Sequence, residues 1–386
     1  MTKLTPTQEL MRAATVSRRR LLKSAVALGA VGFAAPLTVE NAFSSSGELN
    51  FEGWAGYDDL KNKVFPAFTA ASGIKVNFKE VDNQDTMFTD AKLANQTGAV
   101  DVTEPTTDRL PGWATNDLIQ AWDLSKLAPD NYLDSVPGAK AGGAGDINGK
   151  RMFVPSVWGT EAITFDPKEV KGGYGDISLA QLFDDKFVGK VCVRAHSSLA
   201  AMGRVLDAAG KLPKPFLDSY KDEATMKAVW DVVLAEAVKH KKNIAQFWGG
   251  ENEAQAGFKT NGAVIGLTWD STGYNLRNDG YGFLAPKEGA FAWSQGYVLL
   301  KGAKNIDQAH EFAKWISTPE GSSAWASAFS ANPVGKGGID KMSPDVTKFY
   351  NAAYPGDALS KLWWWPPQDA WFVKLRSEYA DKWKSA

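Results

Sequence analysis

The side chains with the means to do chemistry are aromatic residues set beside polar ones: Trp54 and Tyr57, Trp158, Trp248, Trp269 with Asp270, Trp293 with Gln295, and Trp363–Trp365 ahead of Gln368. The chain holds 15 tryptophans, and this group falls near turns, just past predicted strands, rather than inside apolar runs. An indole offers a rigid apolar wall and, toward a cation, an attractive π face worth about 0.5–2 kcal/mol per contact. Taken singly, each also reads as core, because aromatics dominate packing energetics. Their repeated placement past strand ends is what points to a site, since ligands of open α/β sheets bind there.

Catalytic spacings are missing. His196, His240 and His310 are scattered, with no HExxH or Cys/His pattern for zinc. There is no GxSxG elbow, and Gly149-Lys150 fails as a phosphate loop because Arg151 follows it and Ala144 stands where the first glycine is required. Cys192 is the only cysteine, so no intrachain disulfide forms. Flanked as Val191-Cys192-Val193, it reads as a buried strand residue. No cofactor is implied, and the chain does not read as an enzyme.

The N-terminal residues read as an address. Ser17-Arg18-Arg19-Arg20-Leu21-Leu22-Lys23 has the spacing of a twin-arginine signal, with Arg18 and Arg19 as the pair that the translocase reads. The apolar run from Ala25 to Val39 is interrupted by Gly29, Gly32 and Pro36, too broken for a span of about 20 apolar residues. Cleavage after Ser44 and export to the periplasm are expected. Of the chain's 43 Lys/Arg and 44 Asp/Glu, six and two lie in residues 1–44, leaving 37 basic and 42 acidic side chains and a net charge of −5. That balance, without basic runs, argues against nucleic acid or an anionic membrane as partner. A monomer is expected.

Stepping along residues 45–386, short apolar segments alternate with amphipathic ones, the pattern of an α/β protein too large for one core. Strands are predicted at Glu48–Glu52, Ile74–Glu80, Val100–Thr103, Met152–Val157, Lys190–Arg194, Ile244–Trp248, Val264–Thr268, Tyr281–Ala285 and Tyr297–Leu300. Helices are predicted at Asp59–Ser72, Asp85–Asn95, Ser197–Gly210, Ala224–His240, Asp307–Ser317, Pro319–Phe329 and Gln368–Lys384. Asn148-Gly149 marks a hairpin turn. No Pro/Gly/Ser-rich linker divides the chain, so two domains joined by strands are expected.

With those elements in order, the sequence resembles the spermidine/putrescine-binding proteins of ABC importers. The likeness runs through Trp54-x-x-Tyr57, Phe65-x-x-Phe68, Ser72-Gly73-Ile74-Lys75-Val76, Asp101-Val102-x-x-Pro105-Thr106-Thr107, Asn148-Gly149-Lys150 and Val154-Pro155-x-x-Trp158-Gly159. Its most specific stretch is Pro286-Lys287-Glu288-Gly289-x-x-x-Trp293, followed by Trp315-Ile316-Ser317-Thr318-Pro319-Glu320. The resemblance implies an α/β, two-lobed periplasmic binding protein of type II, with the ligand cleft between the lobes. Lobe one would be 45–155 and 291–350, lobe two 156–290, and segment 351–386 would carry a helix across the hinge. It also implies a membrane permease as partner and a small amine-bearing solute as ligand. Trp54, Tyr57, Thr106, Trp269 and Trp293 match the family's ligand-contacting positions, and Gln368 matches a C-terminal contact.

The departures bear on the ligand. The acidic residue expected two after the Trp of the returning strand is Gln295; the acidic cluster after Lys190–Arg194 reads Arg194-Ala195-His196-Ser197-Ser198-Leu199; the Tyr after the Ser/Thr pair is Asp108. Asp108, Glu161 or Asp270 is left to replace the missing acids, while Arg194 would suit an amino-acid-like or opine-like solute with a carboxylate. Tyr350 and Tyr354 raise ferric iron as a further ligand, and an exported enzyme is the reading from another class.

Overall fold

The computed structural model describes residues 47–386; Arg18, Arg19 and the expected cleavage point lie outside them. The strands, in chain order, are β1 (Glu48–Trp54), β2 (Lys75–Val81), β3 (Val102–Thr103), β4 (Ile119–Gln120), β5 (Asp146–Ile147), β6 (Lys150–Arg151), β7 (Val154–Phe165), β8 (Val191–Val193), β9 (Ile244–Phe247), β10 (Ile265–Trp269), β11 (Gly282–Leu284), β12 (Phe291–Leu300), β13 (Asn332–Pro333) and β14 (Trp363–Trp364). The main sheet path is β2-β1-β3-β12-β7-β10-β8-β9. Its two ends are parallel, β1 with β2 and β3, and β8 with β10 and β9. The middle is antiparallel: β12 runs against β3 and β7, and β7 against β10. Parallel pairs need crossovers, usually helical. The crossover from β1 to β2 ends in a left-handed Gly73 (φ 77°), and the helix Gln84–Thr97 that follows β2 is started by the Asn83 side chain, which accepts the N–H groups of Asp85 and Thr86. Between β5 and β6, Asn148 and Gly149 both have positive φ, as a two-residue hairpin of this twist requires.

Burial divides into two large cores. The first is aromatic around Phe51, whose ring lies 5.6 Å from Phe312, 5.6 Å from Trp325 and 5.7 Å from Tyr297. The second gathers Val191, Ile265, Phe216, Trp230 and Trp383. Strand β7 serves both, giving Val154 and Val157 to the first and Ile163 and Phe165 to the second. Strand β12 likewise sends Tyr297 to the first and Phe291 to the second. These strands are longer than their alternation suggested. β7 continues eight residues past Val157 because it is covered on both faces, leaving only Trp158 partly exposed and erasing the polar beats that would mark a two-sided strand. Trp158 and Trp293 therefore lie inside strands, not just past their ends.

The C-terminal segment passes from the first core at Tyr354 to the second at Phe372. Its helix, Ala370–Ser385, does not itself make the crossing. It lies on the second core, where Phe372 meets Trp230 at 5.9 Å and Tyr379 donates to Asp231 at 2.6 Å. Helices Glu251–Lys259, Asp270–Leu276 and Pro344–Ala353 are additional to those predicted.

Candidate functional site

Where the two cores meet at the carboxyl ends of β1 and β10, a cleft opens, concave and rich in aromatic side chains as small-molecule sites are. Trp54 closes β1, and its indole N–H donates to the Glu104 carbonyl at 3.1 Å. Trp269 closes β10, with its ring 6.3 Å from Trp54 and 4.8 Å from Trp248. Tyr57, just past β1, lies 4.3 Å from Phe329. Thr106 bridges to the Gln295 backbone and gives both its N–H and its hydroxyl to the Gln84 side-chain oxygen at 3.0 Å. Trp293 enters from β12, and its ring sits against Gly159 of β7: a Cβ there would come within 2.4 Å of the indole. Trp248 stands behind Trp269, whereas Trp54, Tyr57, Gln84, Thr106, Trp269, Trp293, Gln295 and Phe329 line the cleft, together with Asp108, Arg194 and Gln368.

Two predicted residues do not. Trp158 packs on the first core, 5.9 Å from Trp364. Asp270 is fully buried behind Gly159 and turns its carboxylate to the N–H groups of Thr160 (2.9 Å) and Ser271 (3.1 Å). Burial holds its pKa well above the ordinary carboxylate range, despite those hydrogen bonds. Asp270 is therefore not the acid that replaces the missing ones. The tyrosines proposed for iron are also engaged: Tyr350 donates to the Ser330 carbonyl, and Tyr354 is bonded to Thr160. Burial raises both phenols, which disfavours the phenolate that iron would need. Among the described residues no group of three His, Cys, Asp or Glu is placed to hold a metal.

Several lining residues escaped the sequence reading: Gln84, Arg109, His196, Ser271, Phe329 and Arg376, with Glu161 named only as a possible substitute acid and Trp365 only within the Trp363–Trp365 run. Arg376 carried a usable signal. Phe372, Leu375, Tyr379 and Trp383 set the buried face of the C-terminal helix, and Arg376 falls on that same face.

The charges sort by partner. Arg194 reaches the cleft, but its guanidinium bonds Glu161 at 3.0 Å and lies 5.2 Å from the Trp269 ring and 5.5 Å from Trp248. Arg109 is bonded to Asp85 at the rim. Arg376, 5% exposed, gives one N–H to the Gln368 side-chain oxygen at 2.7 Å and has no carboxylate in salt-bridge range among the described residues. Burial, then the arginines at 376, 194 and 109, hold the His196 pKa well below its usual value, so its imidazole is neutral.

This architecture, a cleft walled by aromatic side chains between two cores, suits the binding of a small molecule. Residues 63–349 match the model of the bacterial extracellular solute-binding proteins, and the chain belongs to that family. Its members are binding proteins acting outside the cytoplasm rather than a class of enzymes. Among curated relatives, spermidine/putrescine-binding periplasmic protein 1 of Haemophilus influenzae is 23% identical over 269 residues, 68% of this chain and 68% of that protein. Among solved structures, a putative spermidine/putrescine ABC transporter protein from Listeria monocytogenes superposes with a TM-score of 0.72 at 19% identity, covering 88% of this chain and 99% of that one. The binding protein MotA of A. tumefaciens, solved with glucopine, gives a TM-score of 0.66 at 17% identity over 87% and 99%. The two-lobed α/β fold expected from the sequence is thus the fold of the chain.

Proposed function

We propose that this chain is the periplasmic capture component of an ABC importer, taking a small amine-bearing solute into the cleft and delivering it to a membrane permease. The observation that carries this reading is the aromatic cleft itself, walled by Trp54 and Tyr57 from one core and Trp269 from the other side. We assign lobe one to 45–155 and 291–350 and lobe two to 156–290, with 351–386 joining them. The long strands β7 and β12, each feeding both cores, serve as the hinge. Closure is driven only by a higher affinity for the closed state. A micromolar solute supplies about −8 kcal/mol for this. Titration of the chain with small-molecule extract from its host is expected to change tryptophan emission and reduce the radius of gyration in small-angle scattering. Scattering that stays unchanged while emission saturates would refute closure, and an extract that changes neither would refute capture.

Export is the second part of the proposal. The receptor for a twin-arginine signal reads guanidinium geometry rather than charge alone. Replacing Arg18 and Arg19 together by Lys is expected to leave the precursor in the cytoplasm. Cell fractionation is the check, and normal periplasmic accumulation of the double variant would refute the assignment.

A further inference from the structure

After the cleft's internal ion pairs are formed, one cation and one anion remain. Arg194 is matched by Glu161, and Arg109 by Asp85. Arg376 has no ion-pair partner among the described residues, and the Asp108 side chain has none either, although both adjoin Gln368: its backbone N–H donates to the Asp108 carbonyl at 2.6 Å, and its side-chain oxygen accepts from Arg376. Buried donors without acceptors also gather here. The Arg376 Nε–H, the Gln368 Nε2 amide and the Trp293 Nε1–H are all buried and unbonded, and all belong to side chains that line this one cleft. Native interiors rarely leave such groups unsatisfied, and an unpaired buried guanidinium is the costliest among them. Burial and the repulsion of Arg109 and Arg194 pull the Arg376 pKa down to about 9, which still leaves it charged at neutral pH.

We propose that the solute is a zwitterion, an amine-bearing carboxylic acid whose carboxylate is held by Arg376 with the Gln368 and Trp293 N–H donors and whose ammonium faces Asp108. The inference rests on the capture reading above and names the chemical class that the same cleft takes. A carboxylate presents two oxygens to a planar guanidinium fork and accepts further N–H groups at its remaining lone pairs. A linear polycation supplies no acceptor to Arg376 and meets three guanidiniums against two carboxylates in the lining. The role first considered for Arg194 therefore belongs to Arg376, because Arg194 is already neutralised.

The test is native mass spectrometry of the full chain with an equimolar mixture of linear diamines, the ω-amino acids of the same chain lengths, ornithine, lysine and arginine. Amino-acid adducts are expected to dominate. In separate calorimetric titrations, Arg376→Gln is expected to bind the preferred amino acid about 30-fold or more weakly, the lower end of what truncating one partner of a buried charged contact costs, with no matching loss for diamines. Asp108→Asn, a near-isosteric change, is expected to weaken amino acids and diamines alike, so the proposal stays testable if Arg376→Gln folds poorly. Dominant diamine adducts, or an unchanged preference in Arg376→Gln, would overturn the zwitterion. No adduct from the mixture would overturn it too, while capture would still be judged by compaction with host extract.

Discussion

On the side of the first core, most lining groups satisfy one another without charge, Trp54 on the Glu104 carbonyl, Tyr57 against Phe329 and Thr106 tied to Gln84, and Asp108 is the one carboxylate left over once Arg109 has paired with Asp85. On the side of the second core and the C-terminal helix the lining is cationic, with Arg194, Arg376 and a neutral His196 around Trp269. The first wall contributes shape and one carboxylate, the second an excess of positive charge. Aromatic walls tolerate many solutes, because every apolar stem and every cation finds a face. Discrimination then depends on which fixed charges are already neutralised. Arg194 and Arg376 carry the same group a few side chains apart, yet only one of them retains an unmet demand.

The largest expected effect comes from breaking the pair that makes the two arginines different. Arg194→Ala leaves Glu161, 1% exposed, as a buried carboxylate with no cation. Removing one partner of a buried pair costs about 3–5 kcal/mol of stability. Chemical denaturation is expected to show a loss of this size, and adding Glu161→Gln is expected to restore most of it, because the double variant buries no charge. A single variant that loses under about 1 kcal/mol would mean that the pair behaves like an exposed one, and the contrast between Arg194 and Arg376 would fail with it.

The walls also differ in how far they were legible from sequence. Trp54 and Trp269 were found because parallel strands aim their carboxyl ends at a ligand, and each stands at the last residue of its strand. Asp270 is only one residue further on, yet it faces away: its carboxylate is drawn to the N–H groups of Thr160 and Ser271, and one step along the chain is enough to change faces. Trp158 misled because the double burial of β7 hides its length. The cationic wall was less legible still. Pairing of Arg194 with Glu161 joins residues 33 apart, through the neighbouring strands β7, β10 and β8, which no local pattern encodes. Arg376 lay on an apolar helix face, a local anomaly, but only the fold shows that this face ends at a cleft. The two-core division was legible in outline from the missing linker, whereas the crossing of the C-terminal segment from one core to the other needed the packing of Phe372 and Trp383.

A smaller effect tests whether a second carboxylate, behind Trp54, adds charge to the first wall. Glu104 stands directly behind Trp54, buried, with one carboxyl oxygen accepting from Ser156 at 2.5 Å and from Trp325 at 2.9 Å and the other unbonded. Burial raises its pKa from 4.5 to about 8, and the hydrogen bonds from Ser156 and Trp325 offset only part of that rise. At neutral pH the folded protein therefore holds a proton that the unfolded chain has lost. The sign follows: the folded state binds more protons between pH 4.5 and 8, so this contribution to stability is fully present below 4.5 and declines as pH rises to about 8. The slope from one such group is at most about 1.4 kcal/mol per pH unit. Glu104→Gln keeps the shape and the hydrogen-bonding oxygen but has no proton to lose, so its stability is expected to vary less between pH 5 and 8 than that of the parent. Denaturant midpoints collected across that interval are the measurement. Parallel profiles would mean that Glu104 is ionised in the folded protein and that the first wall carries its charge in addition to that of Asp108.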